Sequence, residues 1–166
     1  MQLGKHVYGQ KPLAHDIYET RKLTEIAREK KLITQMGIQI HSMKVYRQAV
    51  AIVQSGAIGK VKEVHSWSGK QWGDRNPRPN RTDKVPEGFN WDGWLGVAVD
   101  RPFIGGGYYH PGNWRKRLDF GTGTFGDMGC HIFDPVFKAV GLTSPVSVRS
   151  EGPAPNSHSW ATDAVI

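Results

Sequence analysis

A chain of 166 residues with 38 % hydrophobic and 22 % charged side chains has room for one ordinary domain or two partial ones, and it is too apolar to be a disordered polymer. No stretch reaches the roughly 18 consecutive apolar residues of a membrane span, and the opening Met1–Lys5 lacks the apolar core of an export signal, so a soluble, cytoplasmic protein is expected. The single cysteine, Cys130, excludes an internal disulfide and a four-cysteine zinc site, and the formal charge of +7 leaves nucleic acid, anionic surfaces and acidic ligands open as partners.

Lys5–Gly9 reads as a strand, and Pro12 behind it bars Lys11 from helical backbone. Asp16-Ile-Tyr-Glu19 is a capping box that opens a helix running to about Lys31, and Leu32–Gly37 is a second strand. Ser42 is placed to cap another helix, with Tyr46, Val50 and Val53 on one face and Gly56 just past its end. Val61–Ser68 reads as a third strand. Alternating strands and helices predict an α/β arrangement with a parallel sheet and crossover helices in the first part, and a boundary near Gly56–Lys60. From Gly69 to about Leu118 periodicity fails, yet Trp72, Trp91, Trp94 and Trp114 argue against disorder. The densest basic run, Lys70–Lys84, reads as a solvated loop. The strand-like residues near Val7 and the strand-like Trp160–Ile166 leave unfinished edges that invite pairing with another chain. They lead to the expectation of a central portion of a longer protein, forming homo-oligomers through its sheet surfaces or edges.

Thr124–Val140 carries the most information. At about 100° per residue, Phe125, Met128, Ile132, Val136, Ala139 and Val140 fall on one broad apolar side, and Asp127, His131, Asp134 and Lys138 fall on a narrow stripe opposite. Asp127 and His131 are helical neighbours, Asp127 is expected in the first turn, and Pro135 is expected to kink the helix or end its regular part. The Gly-rich run from Gly121 to Gly126 is expected to leave open space there, and Tyr108–Arg115 brings aromatic and polar groups from upstream, together suggesting a pocket. Gly121, Gly123 and Gly126 spell G-x-G-x-x-G, but a dinucleotide loop needs a strand before it and an acidic residue about 20 positions on. Neither is present, and Asp127 would repel a pyrophosphate.

Gly4-Lys5-His6-Val7-Tyr8 followed by Lys11-Pro12-Leu13-Ala14 resembles the Glu-Lys-Pro region of the Gfo/Idh/MocA oxidoreductases. Gly-Asp127-Met-Gly-Cys-His131-Ile-Phe-Asp134 resembles that family's second motif, and Thr34–Gly37, Ser55–Gly59 and Trp94–Gly96 are similar to its connecting segments, in order. The resemblance implies the C-terminal part of a Rossmann-like parallel sheet over residues 1–58, its first strands and true phosphate loop lying before Met1. Residues 59–166 would then be part of an open, mainly antiparallel α/β sheet domain that binds substrate. It further implies NAD or NADP as cofactor and a sugar or polyol as small-molecule substrate, with no membrane or nucleic-acid partner. By position, Lys11 polarises the substrate hydroxyl, His131 is the acid/base and Asp127 its polar partner. Gln10, Lys11, Pro12 and Gln39 lie by the cofactor, and His110, Trp114 and Arg115 line the substrate site. A histidine titrates near working pH and a cationic lysine stabilises an alkoxide, as alcohol oxidation requires. Relatives that break glycosidic bonds by the same redox step keep a glycosidase outcome open. Two positions depart from the family pattern, with Gln10 in place of Glu and Ile38 in place of Asn.

Two other classes fit the residues. A metal-dependent hydrolase would use Asp127 and His131, with His110 or Asp134 as third ligand. A non-catalytic module would bind a glycan or nucleic acid through the basic aromatic loop containing Arg75, Arg78 and Arg81.

Overall fold

A computed structural model gives the positions of residues 1–166. The chain divides into two compact units, the first formed by residues 1–69 and 128–148 and the second by residues 70–127 and 149–166.

The first unit begins with a β-α-β element: strand β1 (Val7–Gln10), helix α1 (Ile17–Glu29) and strand β2 (Thr34–Gly37). The strands run parallel, with Val7 opposite Thr34 and Gln10 opposite Gly37. Helix α1 starts where the capping box places it. The Asp16 carboxylate accepts from the Glu19 N–H at 2.8 Å, and the Glu19 carboxylate accepts from the His15 N–H at 2.7 Å. Asp16 thus satisfies one of the orphan amides of the first turn, and Glu19 fixes the chain leading into it. The helix ends on Lys30, and Lys31 takes the left-handed conformation at φ 50° that glycine more often supplies. Helix α2 (Lys44–Gln54) follows a 3-10 turn at Gln39–Ser42. Ser42 belongs to that turn and does not cap α2, whose N-cap is Met43. Tyr46 and Val50 are buried as the periodicity predicts, and they face helix α5 (Asp134–Val140). Gln54 Nε2 donates to the Lys138 carbonyl at 2.8 Å, closing the far end of the same helix pair.

Two expected features of the sheets are absent. Residues 61–68 form no strand, because no segment of this chain pairs with them; Val64 and Trp67 stand exposed there. The mainly antiparallel sheet expected beyond residue 59 is reduced to two isolated antiparallel bridges, Arg117 with Ser159 and Glu151 with Val165. β-branched and aromatic residues such as Val61, Val64 and Trp67 favour a strand, but only a partner strand makes one. What stands is an α/β chain with one two-stranded parallel sheet.

The second unit is held by aromatic rings and buried ions. Short helix α3 (Trp91–Leu95) stacks Trp91 on Trp94 with centroids 5.1 Å apart. Trp91 meets Phe103 edge-on, and Tyr109 meets Phe120 edge-on at 5.5 Å. Tyr109, Ile104, Leu95 and Phe103 are buried and form the centre of this core. Edge-to-face and offset stacking are the arrangements the ring quadrupole favours. The irregular stretch from residue 69 onward is therefore ordered without regular structure, as its tryptophans suggest.

Arg117 crosses this unit with only 4 % of its surface exposed. Its guanidinium donates to the Asp74 carboxylate at 2.9 Å, the Ser159 hydroxyl at 2.7 Å and the Tyr108 carbonyl at 3.2 Å. It also lies 3.6 Å from the centre of the Tyr108 ring. Asp74 in turn accepts from the backbone and side-chain amides of Asn76, each at 3.0 Å. Partial burial pushes the Asp74 carboxyl up, but the Asn76 amide and the Arg117 guanidinium together hold it below its ordinary value. A carboxyl lowered on folding stabilises the fold above its unfolded pKa of about 3.9, and that contribution is lost as pH falls through the folded value. Arg117→Met leaves the Asp74 charge without its counter-ion and is expected to cost about 3–5 kcal/mol in a urea melt. Asp74→Asn is expected to flatten the decline in stability on acidification below about pH 4. Unchanged melting of the arginine variant would show that the pair is dispensable.

Candidate functional site

The residues expected beside a cofactor converge at one edge of the parallel pair. Gln10 ends β1, Lys11 and Pro12 follow it directly, and Gly37 ends β2, with Gln39 two residues on. The register that sets Gln10 against Gly37 brings both carboxyl ends side by side. In open α/β sheets small ligands collect at this edge. The Gln10 carboxamide lies over Gly37, where an added Cβ would come within 2.7 Å of Gln10 Oε1. Glycine at 37 is thus what lets this side chain fold across the strand ends. Lys11 is half-buried and joined to Pro12 by a cis peptide bond, and Gln39 is exposed at the start of the 3-10 turn.

A second group forms around helix α4 (Gly123–Ile132), wholly from residues of the second unit. The expected single helix over 124–140 is two helices: α4 ends at Ile132, and α5 begins at Asp134 with Pro135 in its first turn. Pro135 has no N–H to continue the ladder, so the break falls where its spacing predicts. Asp127 departs from expectation in two respects. It lies beyond the first turn of α4, and it is buried at 5 % exposure, whereas Phe125 is 45 % exposed. Arg115 accounts for the burial, since its Nε sits 3.1 Å from Asp127 Oδ1. The same guanidinium stacks over two indoles, 4.5 Å from the Trp114 ring and 5.2 Å from the Trp72 ring. The Trp72 backbone N–H donates to Thr124 Oγ1 at 2.7 Å, which fixes that indole to the start of α4. A charged pair between aromatic walls is well oriented, because a guanidinium both stacks and forks.

The glycines before α4 do not open space, contrary to expectation. A Cβ on Gly121 would collide with the Arg115 backbone, and Gly123, at φ 65°, lies against Trp160, where a Cβ would come within 2.8 Å of its ring. They are close-approach glycines that let the Arg115 turn and Trp160 pack on the helix start. The segment ahead of them is a 3-10 turn at Asn113–Lys116 and not a strand, in keeping with the rejected dinucleotide-loop reading.

Of the expected site residues, then, Gln10, Lys11, Pro12 and Gln39 share one sheet edge, and Trp114, Arg115 and Asp127 form one cluster. His131 is half-buried in the last turn of α4 and belongs, like Lys11, to the first unit. His110 is exposed and packs on Phe89 at 5.4 Å. Asp134 pairs with His41 at 2.9 Å. No three His, Cys, Asp or Glu side chains gather as a metal would need, so the hydrolase alternative lacks its ligand set. In the basic loop, Arg75 is paired with Asp163 and Arg81 with Asp83, which blunts the positive stretch on which a nucleic-acid reading relies. Sequence reading missed Trp72, which looked like part of a solvated loop, and His41. A tryptophan amid basic residues was the available signal for the first. Nothing local announced the second.

Asp127→Asn keeps the shape but removes the charge beside Arg115. It is expected to cost about 1.5–3 kcal/mol of stability, the range for a charge-assisted hydrogen bond, and to shift the tryptophan emission as the Trp72–Arg115–Trp114 stack loosens. An unaltered spectrum and midpoint would show that the pair does not hold the stack.

The family description that matches this chain, Oxidoreductase family, C-terminal alpha/beta domain, of the Gfo/Idh/MocA group, spans residues 39–165. No curated protein sequence matches the chain. The matched span takes in Gln39, Arg115, Asp127 and His131 and covers well over half of the residues, so the chain belongs to the Gfo/Idh/MocA oxidoreductase family.

Proposed function

We propose that this chain is part of an oxidoreductase that moves hydride between NAD or NADP and a hydroxyl of a sugar or polyol. The observation that carries the reading is the family match over residues 39–165, an oxidoreductase C-terminal domain that includes His131. The placement of Lys11 and Gln39 at the carboxyl ends of adjacent parallel strands supports it, since a dinucleotide's reactive end needs polar groups at that edge. On this reading residues 1–58 are the C-terminal portion of the dinucleotide-binding domain and residues 59–166 belong to the substrate domain, the matched C-terminal-domain span reaching back to residue 39 across that boundary. The Gln10–Pro12 turn and Gln39 fit a nicotinamide carboxamide, because amide groups both donate and accept there.

When bound, the nicotinamide supplies the hydride acceptor. The chain's own residues supply the rest. The Lys11 ammonium holds the substrate hydroxyl and stabilises negative charge on its oxygen. The His131 imidazole takes the hydroxyl proton as the carbonyl forms, and returns it in the reverse direction. Trp114 and Arg115 offer an aromatic face and hydrogen-bond donors, the pairing that suits a sugar ring, and His110 adds a polar rim. Asp127 sets Arg115 and the start of the turn that leads to His131.

In the NAD(P)-competent protein, His131→Asn is expected to lower kcat by about 10²–10⁴-fold with NAD(P) affinity unchanged, followed as absorbance of the reduced nicotinamide. Lys11→Ala is expected to lower kcat/KM as well. The 166-residue chain alone is expected to bind NAD more weakly than micromolar by calorimetry. Full turnover in the His131 variant would remove the acid/base assignment.

A further inference from the structure

None of the roles above uses the pocket beside helices α2 and α5, and it has the chemistry of a site. It encloses about 390 Å³, within the roughly 300–1,000 Å³ range of small-molecule sites. His41, Arg47 and Lys138 line it, with Tyr46, Val50 and Gln54 among its other walls. All of these belong to the first unit. Three lining residues are cationic or can become so, and none is acidic.

The three are not equivalent. His41 is oriented: its Nδ1 lies 2.9 Å from Asp134 Oδ2, and its ring packs on Tyr46 at 5.3 Å. With Nδ1 held by the carboxylate, Nε2 is the nitrogen left for a ligand. Arg47 donates from Nη2 to the Ser42 carbonyl at 3.0 Å, which bends it back toward the 3-10 turn without neutralising it. Lys138 is exposed at the end of α5, and its own carbonyl is occupied by Gln54. Neither Arg47 nor Lys138 makes an ion pair. The charged and titratable groups lining this pocket are therefore His41 from the turn, Tyr46 and Arg47 from α2, and Lys138 from α5, with Asp134 behind His41. Asp134 is the one acid, and it is engaged with His41. Val50 and Ala51 give the floor an apolar part.

We propose that this pocket binds a phosphate-class dianion, a phosphate monoester with a small organic body. Its oxygens would be met by His41 Nε2, the Arg47 guanidinium and the Lys138 ammonium. A guanidinium, an ammonium and an imidazole around one hollow suit a doubly charged, multidentate acceptor better than a single carboxylate. A monovalent ligand would leave part of the positive charge unmatched. The organic body would lie over Val50 and Ala51.

The test is titration of the intact chain with inorganic phosphate and methyl phosphate at low ionic strength, read by the His41 ring resonances. Saturable shifts are expected, methyl phosphate binding at least as well as inorganic phosphate, and acetate much more weakly. Arg47→Gln and Lys138→Gln alter only exposed side chains, and each is expected to weaken binding at least about tenfold, the effect of one charge-assisted contact. Far-UV circular dichroism of each variant confirms that it folds. Absence of saturable shifts, equal binding by acetate, or equal binding by both folded variants would overturn the proposal.

Discussion

The second unit depends on a single buried cation. Arg117 reaches three separate stretches of chain, at residues 74, 108 and 159, and gives each a hydrogen bond. Few backbone ladders are available there to do that work, because the unit contains only one short α-helix before α4 and isolated bridges in place of a sheet. The desolvation of a guanidinium and a carboxylate is expensive, and the pair recovers it only because every partner is in place. Around it the aromatic cluster supplies the apolar burial. The two contributions are complementary: rings fill volume without specifying which segment lies where, and the arginine's fixed fork specifies it.

That division explains which parts of the fold could be read from the sequence. Helices α1 and α2 and the α4–α5 break follow from short-range rules. A carboxylate caps three residues on, apolar groups recur every third or fourth position, and a proline ends the ladder. Each rule operates within one or two turns, so a single sequence carries it. The Arg117 contacts join residues 43 and 42 positions apart, and no local pattern encodes them. The β-favouring side chains Val61, Val64 and Trp67 suggested a strand at 61–68, but a strand also needs a pairing partner, which is a property of another segment.

The candidate site shows the same boundary in finer detail. The Gln10–Pro12 turn and Gln39 were placed together by the family resemblance, and the parallel register of β1 and β2 brings their strand ends side by side. Asp127 was legible as a helix residue but not as a buried one. A helical wheel assigns an aspartate to the solvent face by its charge, and it cannot see that Arg115 will arrive from twelve residues upstream to match that charge. Once matched, the carboxylate is better placed inside than Phe125, whose ring is left partly exposed. The glycines at 121 and 123 follow from the same arrival. They look like a ligand loop on paper, and they serve as clearance for the Arg115 backbone and the Trp160 ring.

This arrangement constrains the proposed chemistry. The Asp127 carboxylate is committed to the Arg115 guanidinium at 3.1 Å, so it is not a free base. Asp127 is better described as the residue that sets Arg115 between its two indoles. The demand on it is positional: the buried carboxylate accepts from the guanidinium that lies over both the Trp72 and the Trp114 rings.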